Sequence, residues 1–345
     1  MNCKLLIIIH YVKLITLNYI YFFIYLFVNN SLLLAKLDDS TNREASYNVR
    51  YEGKIKSKED VEKKKSILQS IGEFLLGKEQ KQLMKPYAIL ADDSSNIVVL
   101  DQGLESLVKI DMLNSHFEYL DNDTGINFPS LVGITKINNQ TIAFTDSRLN
   151  KIYIYDLKKN KVKAFNDFEL SQPTGIAYSA KDKQFWVVET AKHRVLILNE
   201  QGQIVRAIGI RGSSPGEFNF PTNICIDKTG KVYIVDAMNF RVQIYSLDGE
   251  FISTFGQQGD ASGYFASPKG IATDTFGHIF IVDAMYHSVQ VFNEKGDYLY
   301  CFGKQGRNDG EFWLPTGIYI NNDNHIYVTD SYNSRIQVFR LLLRN

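Results

Sequence analysis

Six acidic residues recur along the chain: Asp101, Asp146, Glu189, Asp236, Asp283 and Asp330. Carboxylates at equivalent points of a repeat could ring a metal ion. Each is followed five residues later by Ser106, Lys151, Arg194, Arg241, Ser288 or Arg335. An acid that ends a strand can instead bind loop amides or the side chain five residues on, and that structural role is expected here. Histidines offer a second chemistry. His193 and His287 each lie four residues beyond an acid of the ladder. Converging imidazoles could hold a metal, but a zinc site needs three or four ligands with oriented outer partners. The two are weak metal candidates, and no cofactor is expected. The sequence contains no Gly-x-Ser-x-Gly nucleophile elbow, and its glycine-rich loops lack the Lys-Ser/Thr of a phosphate cradle.

A third kind of chemistry is recognition. Met238, Phe240, Met285, Tyr286, His287 and Tyr332 fall in the short loops after the acids. Aromatic residues and methionine favour interfaces. These six are the expected binding residues. The Gly-Glu-Phe segments that include Phe218 and Phe312 recur with the repeat, so packing is expected of those phenylalanines.

The elements that position these residues follow from the repeat itself. Six of the seven prolines, Pro86, Pro129, Pro173, Pro221, Pro268 and Pro315, stand 43 to 48 residues apart. Each acid follows its proline by 15 to 17 residues. Within a unit, a short apolar run is followed by a turn such as Asp227-Lys-Thr-Gly230. A β-branched strand such as Val232–Val235 then leads to the acid and a tight loop. Two more short strands close the unit. Four antiparallel strands in about 45 residues describe a propeller blade, whose radial stacking protects strand edges. The fold class is therefore all-β, a six-bladed β-propeller of four-stranded blades over 86–345. The sixth unit lacks a fourth strand, so one is borrowed from upstream. Tyr47–Ile55 is chosen, with Ser66–Ile71 as the alternative. A short helix is expected over about 59–76, within a 36–85 linker.

The units Asp236-Ala-Met-Asn239-Phe-Arg241-Val-Gln-Ile and Asp330-Ser-Tyr-Asn333-Ser-Arg335-Ile-Gln-Val resemble NHL repeats. The likeness covers roughly 86–340. It implies the propeller fold. Such families bind proteins, in some animal members RNA, and related propellers carry lyase or lactonase chemistry, so fold alone does not decide function.

Residues 1–35 contain Lys4 and Lys13, no acid, and a long apolar run from Leu14 to Val28. A positive segment before an apolar core is the pattern of a signal peptide or signal-anchor helix. The body is then expected outside the cytoplasm, periplasmic or at the cell surface, with the membrane met through this segment. The chain of 345 residues carries 38 basic and 38 acidic side chains. That balance argues against nucleic acid as a partner. Three cysteines cannot build a disulfide framework. The resulting expectation is a non-catalytic module that binds a protein or cell-envelope polymer. The alternative is a propeller lyase or hydrolase, lactonase-like or amidating-lyase-like, with a metal at the central channel.

Overall fold

The computed structural model describes residues 47–61, 81–92, 96–120 and 125–343. The 1–35 segment lies outside them, as does most of the helix expected over 59–76, of which α1 (Lys58–Val61) is described. Among the described residues no helix is long and apolar enough to cross a membrane. Residues 48–342 form one compact unit. It holds the propeller.

Six four-stranded sheets form the blades. Blade one is β2 to β5 (Pro86–Ala91, Asn96–Asp101, Ser106–Asp111, His116–Tyr119). Blade two is β6 to β9 (Leu131–Asn138, Thr141–Asp146, Lys151–Asp156, Lys161–Ala164). Blade three is β10 to β13 (Pro173–Ser179, Gln184–Glu189, Arg194–Asn199, Ile204–Ile208). Blade four is β14 to β17 (Pro221–Ile226, Val232–Asp236, Arg241–Tyr245, Phe251–Phe255). Blade five is β18 to β21 (Pro268–Thr273, Ile279–Asp283, Ser288–Phe292, Tyr298–Phe302). Blade six is β22 to β24 (Ile318–Ile320, His325–Asp330, Arg335–Leu343) completed by β1 (Tyr47–Ile55).

The prolines mark where the innermost strands begin, because proline removes an N–H that a first strand residue does not need. Pro129 and Pro315 stand just before β6 and β22 rather than inside them. Second strands are sandwiched between neighbouring blades, so both their faces must be apolar. Val232–Asp236 and Ile279–Asp283 are buried at every residue. Outer strands face solvent: Lys161–Ala164 carries two lysines on an exposed edge, which discourages pairing with another chain. Turns between first and second strands are held by side chains. In blade four the Asp227 carboxylate accepts the N–H groups of Thr229 and Lys231 at 2.8 and 2.9 Å.

Closure joins blade six to blade one and to β1. Thr316 Oγ1 and Ser331 Oγ donate to the carbonyls of Tyr87 and Pro86. Lys54 of β1 pairs with Asp309 at 2.8 Å, and the Tyr51 ring meets Phe339 edge-on at 5.5 Å. Burial and the Asp309 carboxylate push the Tyr51 phenol up to about 12, while the hydrogen bond from Lys54 holds Asp309 below its usual value.

Candidate binding surface

The six ladder acids are buried, and their oxygens are spent on the fold. Asp101 accepts the N–H groups of Met84, Lys85, Gly103 and Leu104. Asp283 accepts those of Ala266, Ser267, Met285 and Tyr286. In blade four, Asp236 takes the Asn219 N–H, Asn239 Nδ2, Arg241 Nε and Gln243 Nε2. Blade six repeats this set with Asp330, Trp313, Asn333, Arg335 and Gln337. Each acid thus ties the loop after its strand to the loop leading into its own blade. Both loops lie on one face of the ring, and the acid holds their backbones rigid beneath whatever side chains they display.

Two residues past the acid, the displayed side chains are Gly103, Arg148, Ala191, Met238, Met285 and Tyr332. Met238, Met285 and Tyr332 are 54%, 60% and 55% exposed. They sit at equivalent points of three successive blades and form an apolar arc. The arc continues onto blade one by a different route. A Cβ on Gly103 would lie 2.7 Å from the Cβ of Met84, so the missing side chain leaves room for Met84 from the loop before the strand. Met84 is 53% exposed. The Lys85 ammonium lies 5.7 Å from the Tyr332 ring centre, and the Trp313 ring at 6.4 Å backs the same tyrosine.

Residues 163–271 match a family described as a 6-bladed beta-propeller, and residues 312–339 match the NHL repeat. The chain is a six-bladed propeller whose last blade carries an NHL repeat. No curated protein matches the sequence. Among solved structures, this propeller is similar to a protein of unknown function from Bacteroides thetaiotaomicron, at 13% identity and TM-score 0.62 over 87% of this chain and 77% of that one. It is similar to an auxiliary nutrient binding protein from Bacteroides ovatus, at 13% identity and TM-score 0.60 over 87% and 78%. It also resembles virginiamycin B lyase from Staphylococcus aureus, at 14% identity and TM-score 0.57 over 86% and 100%. At these identities the likeness is one of fold.

The other expected binding residues of the propeller are placed differently from the arc. Phe240 is half-buried and packs against the core between blades four and five. Tyr286 is half-buried and donates its hydroxyl to the Gly259 carbonyl. His193 and His287 adopt left-handed backbone conformations, with φ of 52° each. Their Nδ1 atoms accept the N–H groups of Phe220 and Leu314, both at 3.0 Å. Each imidazole therefore fastens its blade to the next. Among the described residues no three His, Cys, Asp or Glu side chains gather so as to hold a metal. Phe218, Phe265 and Phe312 are fully buried, whereas Phe220 is exposed beside His193. Met84 was not among the residues expected from the sequence. Its signal is the glycine at 103, which only a known blade register makes legible.

Proposed function

We propose that this NHL propeller is a non-catalytic binding module whose apolar arc receives a protein outside the cytoplasm. The exposed arc of Met238, Met285, Tyr332 and Met84 carries the reading. Methionine adapts its shape to a partner, and a rigid backbone below it lowers the ordering cost of binding. The basic and apolar character of residues 1–35 supports export or anchoring. The printed name of the Bacteroides ovatus neighbour, an auxiliary nutrient binding protein, is compatible with capture of an external ligand.

The test replaces Met238, Met285 and Tyr332 together by Ser in the full-length chain. A photo-crosslinking residue at position 285 is expected to yield a discrete adduct with one envelope protein, and the triple variant is expected to weaken its capture at least tenfold. Unfolding should stay within about 1 °C, because exposed side chains contribute little to stability. Unchanged capture would remove this face from consideration. The lyase or hydrolase alternative would be favoured by stoichiometric zinc or calcium in the purified chain.

A further inference from the structure

A cavity of about 290 Å³ runs along the ring axis and is walled by the inner strands of all six blades. Its size is near the ~300 Å³ lower end of small-molecule sites. Ile176, Ile224, Ile271 and Ile318 line it, together with the first-turn residues Lys228 and Asp274. No residue of the loops that carry the apolar arc lines it. The cavity therefore opens on the opposite face of the ring.

Glycines mark its inner end. A Cβ on Gly133 would lie 2.2 Å from the Thr174 carbonyl oxygen, and one on Gly270 would lie 2.7 Å from that of Thr316. On Gly317 it would lie 2.5 Å from the Tyr87 oxygen. At these glycines neighbouring inner strands touch backbone to backbone and leave no room for a side chain on the glycine itself. Blade four departs from the pattern, because Asn223 stands where blades two, three, five and six have glycine. Asn223 Oδ1 accepts the Ile224 N–H at 2.8 Å. Among the described residues its amide nitrogen has no protein acceptor, and the residue lines the cavity. A donor has thus been placed where the other blades keep none.

The mouth carries two lysines and one carboxylate. Lys136 of blade two and Lys228 of blade four are exposed, line the cavity and make no ion pair among the described residues. The one lining carboxylate, Asp274, is already engaged. It accepts the N–H groups of Phe276 and His278 at 2.9 Å each, and its second oxygen lies 2.6 Å from His278 Nδ1. The Cys225 thiol on the wall is pushed up by burial and adds no negative charge.

We propose that the axial cavity binds a small organic anion with an apolar body. The carboxylate or phosphate lies between Lys136 and Lys228, the body packs on the isoleucines, and Asn223 donates to a polar atom within it. This site is on the other face from the arc and does not depend on it.

Calorimetric titration of the full-length chain in a neutral detergent tests it, with detergent blanks subtracted. The probes are 3-phenylpropionate, phenylethyl phosphate, 3-phenylpropan-1-ol and 3-phenylpropylammonium. One or both anions should bind with one-to-one stoichiometry, and the stronger of the two names the head group. The cation should give no saturable heat. Lys136→Ala with Lys228→Ala should weaken the anion at least tenfold while leaving weak alcohol binding unchanged, and Asn223→Gly should weaken both. Both variants alter positions whose replacements the fold accommodates, and unfolding midpoints verify this. The arc triple variant should bind the anions as wild type does. Absence of saturable heat with either anion, equal binding of the cation, or a lysine double variant that binds like wild type would overturn the proposal.

Discussion

His193 of blade three accepts the backbone N–H of Phe220 through Nδ1 at 3.0 Å, and its ring meets the Phe220 ring edge-on at 4.4 Å. The equivalent junction between blades two and three uses Asn150, whose Oδ1 accepts the Gln172 N–H at 2.9 Å. Two chemically different side chains therefore make the same fastening from a left-handed backbone position. His193→Ala should cost about 1–2 kcal/mol, the value of a lost hydrogen bond and an orphaned N–H. His193→Asn should recover most of it. Urea unfolding of the three proteins distinguishes them, and an alanine variant as stable as wild type would show that the fastening carries no load.

The carboxylate at the centre of blade four gathers four donors, of which Arg241 Nε at 2.8 Å is charged. Asp236→Asn leaves that guanidinium without its counter-charge in a nearly buried site. The expected loss is about 3–5 kcal/mol. Ser or Asn substitution at Asp297, an exposed turn residue, should change stability by less than about 0.5 kcal/mol. Denaturant midpoints compare the two.

Gly133→Ala drives a methyl group against the Thr174 carbonyl at 2.2 Å, and backbone has no rotamer by which to yield. A loss of roughly 2–3 kcal/mol is expected. Gly53→Ala in β1 meets nothing within 4 Å and should be close to neutral. Thermal unfolding of both variants separates close approach from a general glycine effect.

Burial lowers the Lys269 ammonium from its usual value, a cost only partly offset by the Asp283 carboxylate. The unfolded chain then binds more protons between the lowered value and 10.5, so this lysine makes stability rise with pH across that window. Below the window its penalty is fully present. Lys269→Met should raise the unfolding temperature at pH 7 by about 2 °C. The gain should shrink as pH approaches 10.5. A gain that is constant with pH would assign it to packing instead.

The repeat was legible because each of its marks has one physical cause. Sandwiched second strands must be apolar on both faces, prolines fit strand starts, and an acid at each strand end satisfies loop amides. Met238, Met285 and Tyr332 could be read as displayed because they fall in those loops. Phe240 and His287 fall in the same loops and could not be told apart from them. Their left-handed φ turns the side chain toward the next blade, and sequence spacing does not reveal that angle. Asn223 was equally hidden, since its meaning depends on four glycines that line up only once the inner strands stand side by side.

The strand that completes blade six, β1, is made before any of the six units and finds its place beside β24 only after the last of them exists. Its contacts, such as Lys54 with Asp309, span 255 residues of chain. Pairings of that reach are slow to form. During synthesis the ring must therefore stand open, β1 idle and the sixth sheet lacking an outer edge, until the last unit has been made.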